Sequence, residues 1–151
     1  MNNAFRLLSI KGIPVEIHAS WLLALLLFSI SLAQGYYPMV IEGLSNETYW
    51  LAGLVSTLVI FASVLTHEVG HSLVALKEGI PIKKITLFIF GGVAQMEAEP
   101  ASPGAEFRIT AAGPLTSLLI ALLTGALYYL FLPSGYLFSE AVFLIARINL
   151  I

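Results

Sequence analysis

The sequence predicts an all-α multipass membrane protein with three complete transmembrane helices, the start of a fourth, and short membrane-associated β-hairpins. Three observations lead there. Hydrophobic residues make up 58% of the 151 and charged residues only 11%, where a soluble domain carries roughly 25% charged residues to cover its surface. The mean hydropathy is +0.91. The apolar residues are also gathered into runs of the length that crosses about 30 Å of hydrocarbon, about 20 residues of helix. Seven Lys and Arg against nine acids give a net charge of −2, which excludes a nucleic-acid partner because no basic footprint exists. There is no Cys, so disulfides, thiolate ligands and a Cys nucleophile are excluded too. All nine acids are Glu, and the chain contains no Asp.

Taken in order, residues 4–18 alternate apolar and polar about Lys11-Gly12 and read as a β-hairpin. A helix over about 19–38 follows; the uncharged run extends to Ile41, with Trp21 at one margin and Tyr36-Tyr37-Pro38 at the other, the pattern of an interfacial aromatic belt. A second helix over about 50–77 opens on Tyr49-Trp50 and stays apolar past a few polar residues to Leu76. Residues 82–97, rich in Ile, Thr and Phe around Gly91-Gly92, read as a second hairpin. Glu97 to Glu106 reads as a polar loop. A third helix covers about 107–132, stopped by Pro133 and Gly135, and a fourth begins near 138 and runs to 151. That last run reaches about 20 Å, too short to cross. Ending on Leu150-Ile151, inside an apolar run, the chain reads as a single transmembrane core domain, 1–151, apparently truncated at its C-terminus and the N-terminal part of a longer protein.

Cations mark the cytoplasmic side of a membrane protein. Arg6 and Lys11 precede the first span, and Lys77, Lys83, Lys84 and Arg108 lie between the second and third. The loops near 42–48 and 133–140 hold Glu and no cation. The expectation is a multi-pass protein of the cell membrane with a cytoplasmic N-terminus. A cleaved signal peptide is the competing account of the first span, but its n-region is long and carries Glu16 and His18.

The chemistry is carried by His67-Glu68-Val69-Gly70-His71 on the second apolar stretch. Positions i and i+4 of a helix are neighbours on one face, so two imidazoles can converge on one ion. Glu68 lies three residues from His71 and faces the same groove without ligating the ion. Two His ligands, one further protein ligand and an open position make a catalytic zinc site. The plain alternative is a satisfied polar cluster at the end of a helix. Placement speaks against it, since each ionisable side chain within a span costs about 2.5 kcal/mol or more. Lys77, Lys83 and Lys84 read as topology signals, and Arg147 as a structural residue.

These residues resemble the site-2 proteases, intramembrane zinc metalloproteases. His67 to His71 resembles the family's catalytic motif in its second helix. Phe90-Gly91-Gly92-Val93-Ala94-Gln95-Met96 resembles its membrane-associated strand loop, and Pro103-Gly104-Ala105-Glu106-Phe107 with Ala111-Ala112-Gly113-Pro114-Leu115 resembles the entry to its third helix. Gly12-Ile13-Pro14 with Ile17-His18-Ala19-Ser20-Trp21 resembles the start of prokaryotic and archaeal members that often carry C-terminal CBS domains. The resemblance implies regulated intramembrane proteolysis: hydrolysis of a peptide bond in or near a transmembrane segment of a membrane-protein substrate within the lipid bilayer. It implies Zn2+ as cofactor, His67 and His71 as ligands and Glu68 as general base. Gly91, Gly92 and Val93 are candidate substrate-binding residues, by strand pairing with an unwound substrate.

The family's third ligand is an Asp, and this chain has none. Arg147-Ile148-Asn149-Leu150-Ile151 resembles the run that leads to it, which leaves Asn149 either a substrate-binding residue or an ordinary helix residue. His18 and Glu97 are the substitutes available in principle. The expectation is a fragment that binds zinc weakly and lacks activity. The alternative function is a non-enzymatic multipass protein, a transporter or degenerate scaffold, whose His/Glu cluster binds a metal or a proton.

Overall fold

The computed structural model describes residues 4–131 and 136–150. The stop expected at Pro133 and Gly135 lies outside the described residues. The order is β1 (Ala4–Ile10), β2 (Ile13–His18), α1 (Ser20–Ile30), a π-helical turn (Ser31–Tyr36), α2 (Tyr37–Val40), α3 (Asn46–Lys77), β3 (Ile82–Phe88), β4 (Gly91–Met96), α4 (Pro103–Phe131) and α5 (Tyr136–Ile148). Three helical stretches, Ser20–Val40, Asn46–Lys77 and Pro103–Leu130, are long and apolar enough to cross a membrane. The first is not one uniform helix, because the π turn interrupts it.

Local chemistry sets the ends. Lys11 and Gly12 both adopt positive φ, 49° and 87°, the geometry of a type I′ hairpin turn whose twist matches the strands it joins. Ser45 Oγ accepts from the Thr48 N–H at 3.3 Å, and Ser102 Oγ accepts from the Ala105 N–H at 3.2 Å; both satisfy an orphan donor at a helix start. With these caps α3 and α4 each begin four residues before the apolar runs suggest, and Pro103, read as loop, is the first residue of α4, a position that needs no N–H. At the other end of α3, Ile80 N donates to Ala75 O at 2.9 Å and Gly79 N to Leu76 O at 3.1 Å. Gly79 has φ +81°, so this is a Schellman ending with glycine where left-handed backbone is required.

The described chain divides into two compact units, one of Met1–Ala24 and Val64–Thr116, the other of Leu25–Ser63 and Ser117–Ile151. In the first, the two hairpins are parts of one sheet of order β1-β2-β3-β4. β2 and β3 are parallel, with Val15 opposite Ile85 and Ile17 opposite Leu87. One face of this sheet forms a core with the last turns of α3 and the first turns of α4: Val15, Ile85 and Ala75 are fully buried, with Ile80 and Ile109 close to it. The sheet therefore backs the segment that carries the two-histidine motif. In the second unit, Tyr37 is buried among Leu32, Ile60 and Leu144, and its hydroxyl pairs with Ser56 Oγ. Phe28 meets Phe61 edge to face at 6.1 Å.

Candidate metal centre

His67, Glu68 and His71 all lie on α3 within the first unit. One helical turn apart, the two imidazoles cross at 78°, and their Nε2 atoms stand 3.1 Å from each other. His71 Nδ1 lies 2.7 Å from the carbonyl of Ile109. A carbonyl only accepts, so Nδ1 carries the proton and the Nε2 of the neutral ring presents a bare lone pair. This is the arrangement of a metal-binding imidazole oriented by a backbone acceptor.

The donor pair fits a zinc ion. Two nitrogens each 2.0–2.1 Å from one tetrahedral ion would stand about 3.3 Å apart, close to the 3.1 Å observed. A second fit comes from α4. A β-carbon built on Gly113 would overlap His71 Nε2 and fall 2.6 Å from His67 Nε2, so the space in front of both nitrogens is open only because residue 113 has no side chain. Among the described residues, no third His, Cys, Asp or Glu joins the pair in a metal-holding group. His18 Nδ1 is instead engaged with Ser20, 2.8 Å from its Oγ. The backbone N–H of Glu97 donates to Pro81 O at 3.0 Å.

Glu68 lines a cavity of about 230 Å³ together with His71, Ser72, Ala94, Met96 and Thr110. The strand β4 closes in on it: a β-carbon on Gly92 would meet Glu68 Cγ at 2.5 Å. Gly92 therefore lies against the carboxylate side chain. Gly91, at φ 129°, opens the strand in a backbone conformation that favours glycine. Val93 points elsewhere, lining a groove of about 690 Å³ with His18, Lys84 and Phe88. Ser72 donates its hydroxyl to Glu68 O at 2.8 Å and Ser63 to Val59 O at 3.2 Å, so both use their hydroxyls on their own helix. Asn149 belongs to the second unit and donates Nδ2 to Ile145 O at 2.9 Å.

Of the cations read as topology signals, Lys84 pairs with Glu16 at 2.7 Å. Arg108 makes a two-pronged pair with Glu78, Nε to Oε1 at 2.7 Å and Nη2 to Oε2 at 2.9 Å. Hydrogen bonding from Arg108 holds the Glu78 carboxyl below its ordinary pKa. Nothing in the sequence around Ile109 and Gly113 marks either residue as a neighbour of the histidines. A small residue beside a proline in an apolar helix was the available signal, and it is shared by any close helix packing.

Residues 55–148 match the profile of Peptidase family M50. The chain is 46% identical over 124 residues to a Synechocystis protein provisionally named a zinc metalloprotease, covering 81% of this chain and 32% of that one. It is 41% identical over 125 residues to a zinc metalloprotease of Methanocaldococcus jannaschii, covering 81% of this chain and 32% of that protein. The chain thus spans about a third of the length of these relatives. Among solved structures, the site-2 protease from Methanocaldococcus jannaschii superposes with a TM-score of 0.68 at 33% identity, covering 97% of this chain and 61% of that one.

Proposed function

This chain belongs to peptidase family M50, the site-2 protease family, and from that footing we propose that it supplies the catalytic core of an intramembrane zinc metalloprotease. In this reading Ser20–Val40, Asn46–Lys77 and Pro103–Leu130 cross the cell membrane, with the N-terminus cytoplasmic as the distribution of cations suggests. The substrate is a transmembrane segment of another membrane protein, cut within the bilayer. The observation that carries the proposal is the convergence of His67 and His71 Nε2 at 3.1 Å on an apolar helix, with Glu68 lining the adjacent cavity.

His67 and His71 would hold the ion through Nε2. A zinc ion bound there supplies an acidified water and polarises the carbonyl under attack. Glu68 accepts a proton from the attacking water at its carboxylate and passes it to the amide nitrogen as the C–N bond breaks. Water supplies hydroxyl to the carbonyl carbon and hydrogen to the amine, so the step balances with no further reactant. The substrate helix has to unwind before its carbonyls are accessible. β4 is an outer strand of the sheet, and its main chain at Gly91, Gly92 and Val93 is suited to hold the unwound segment by strand addition. A catalytic zinc ordinarily takes three protein ligands, so with two of them among the described residues these 151 residues alone are expected to hold zinc weakly, if at all, and to lack activity. CBS domains elsewhere in the full-length protein would be its regulatory partner.

Glu68→Gln tests the reading in the full-length protein reconstituted in lipid. Zinc content is expected to stay while cleavage of a transmembrane substrate falls by about 10²-fold or more. Cleavage unchanged by the substitution sinks the enzyme reading and leaves the non-enzymatic metal-binding alternative.

A further inference from the structure

We infer that Gly113 is a positioning residue of the metal centre: the volume a β-carbon would take at 113 is the volume the two imidazole nitrogens need in order to share one cation. The inference rests on the zinc reading above and goes beyond it by assigning a role to a residue of α4 that ligates nothing.

The geometry is specific to this glycine. A β-carbon on Gly113 would overlap His71 Nε2 and Cε1 and stand 2.6 Å from His67 Nε2. An ion held by both nitrogens lies 2.0–2.1 Å from each, so a methyl group placed there competes with the ion for the same space. The His71 ring cannot simply swing aside, because it is tied by Nδ1 to Ile109 O at 2.7 Å. The helices are also close-packed one turn along: a β-carbon on Gly70 would overlap Thr116 Oγ1 and lie 3.1 Å from Ala112 O. Gly125, further along α4, would meet nothing within 4 Å. Glycine is a poorer helix former than alanine by about 1 kcal/mol. Its presence at 113 is accounted for by contact with the histidines and not by the needs of the helix.

The test is a titration of the full-length protein, reconstituted in lipid, with Zn2+ alone, comparing the native sequence with Gly113→Ala, Gly70→Ala and Gly125→Ala. Gly113→Ala is expected to weaken zinc binding by about 10- to 100-fold, as removal of supporting residues around metal ligands does, while Gly125→Ala leaves it unchanged. Gly70→Ala disturbs the same helix contact without pointing at the nitrogens, so its loss is expected to be smaller. Zinc binding by Gly113→Ala equal to the native chain, or a loss matched by Gly70→Ala, overturns the inference. Where Gly113→Ala folds poorly, the double variant with His71→Ala, which removes the ring that a β-carbon at 113 overlaps most, decides. Removing one ring should raise the melting temperature of metal-free Gly113→Ala but not of the native chain, and equal effects in both backgrounds overturn the inference. A native full-length protein that takes up no zinc overturns the metal reading itself, independently of any variant at 113.

Discussion

His71 Nδ1 donates to the main-chain carbonyl of Ile109 across 2.7 Å, so a ring on α3 takes its orientation from the backbone of α4. The local sequence of α4 accommodates this. Pro114 lies inside the helix, has no N–H to offer Thr110 O, and crowds that carbonyl with its ring. Thr110 O thus lacks its donor within the helix, one residue from the carbonyl that takes His71 as an outside donor. Gly113 and Pro114 thus act on the same imidazole, one by leaving room and the other by easing the backbone it binds.

Pro114→Ala should therefore complete the hydrogen-bond ladder of α4 and draw its carbonyls back into the helix. The expected outcome is a more stable α4 together with zinc affinity lowered by about tenfold, the cost of losing a partner that orients a ligand. Thermal unfolding and a zinc titration on the same sample check both halves; unchanged affinity would mean that the Ile109 contact does not depend on the proline.

Gly92→Ala separates the acid from the ligands. Its β-carbon would press on Glu68 Cγ at 2.5 Å and on Leu87 Cδ2 at 3.4 Å, and those are its nearest neighbours. Zinc content is expected to stay while cleavage in the full-length protein falls by about 10²-fold, the typical effect of misplacing a reacting group by about 1 Å. Loss of zinc along with activity would contradict this division of labour.

The Glu78–Arg108 pair should make stability depend on pH. Hydrogen bonding from Arg108 lowers the Glu78 pKa in the folded chain, so the pair stabilises above the ordinary carboxylate pKa and loses its effect as pH falls through the lowered folded value. Arg108→Gln is expected to melt below the native chain at neutral pH, with the gap closing in acid. A gap that persists in acid would assign the effect to packing instead of charge.

Tyr37→Phe tests the second unit alone. Tyr37 is fully buried and its hydroxyl pairs with Ser56, itself buried. Removing it leaves the serine unpartnered, at an expected cost of about 1 kcal/mol, read as a shift in unfolding. Tyr37→Phe combined with Ser56→Ala should recover part of that loss, because neither hydroxyl of the pair is then left without the other.

The closeness of His67 and His71 is legible because an i, i+4 spacing on a helix is local geometry, independent of the rest of the chain. The hairpins were legible from period-two alternation and from Lys11-Gly12 and Gly91-Gly92. Their union was not: the parallel pairing of Ile17 with Leu87 joins segments far apart in the chain, and nothing in either segment names its partner. Hydropathy alone puts the starts of α3 and α4 late because it marks what enters a membrane, whereas Ser45 and Ser102 start helices in polar sequence by satisfying backbone donors. The π turn at Ser31–Tyr36 left no mark in a uniformly apolar run.

While the family came from the likeness of whole motifs, composition and spacing alone determined that this is an apolar, mainly helical chain with His67, Glu68 and His71 on one helix. They could do so because burial in lipid and helical periodicity act on neighbouring residues. Which atoms stand in front of the histidines was decided only by the tertiary structure. Gly113, Ile109 and Gly92 reach the motif from α4 and β4, and the space a missing side chain leaves open exists only once those elements are packed together.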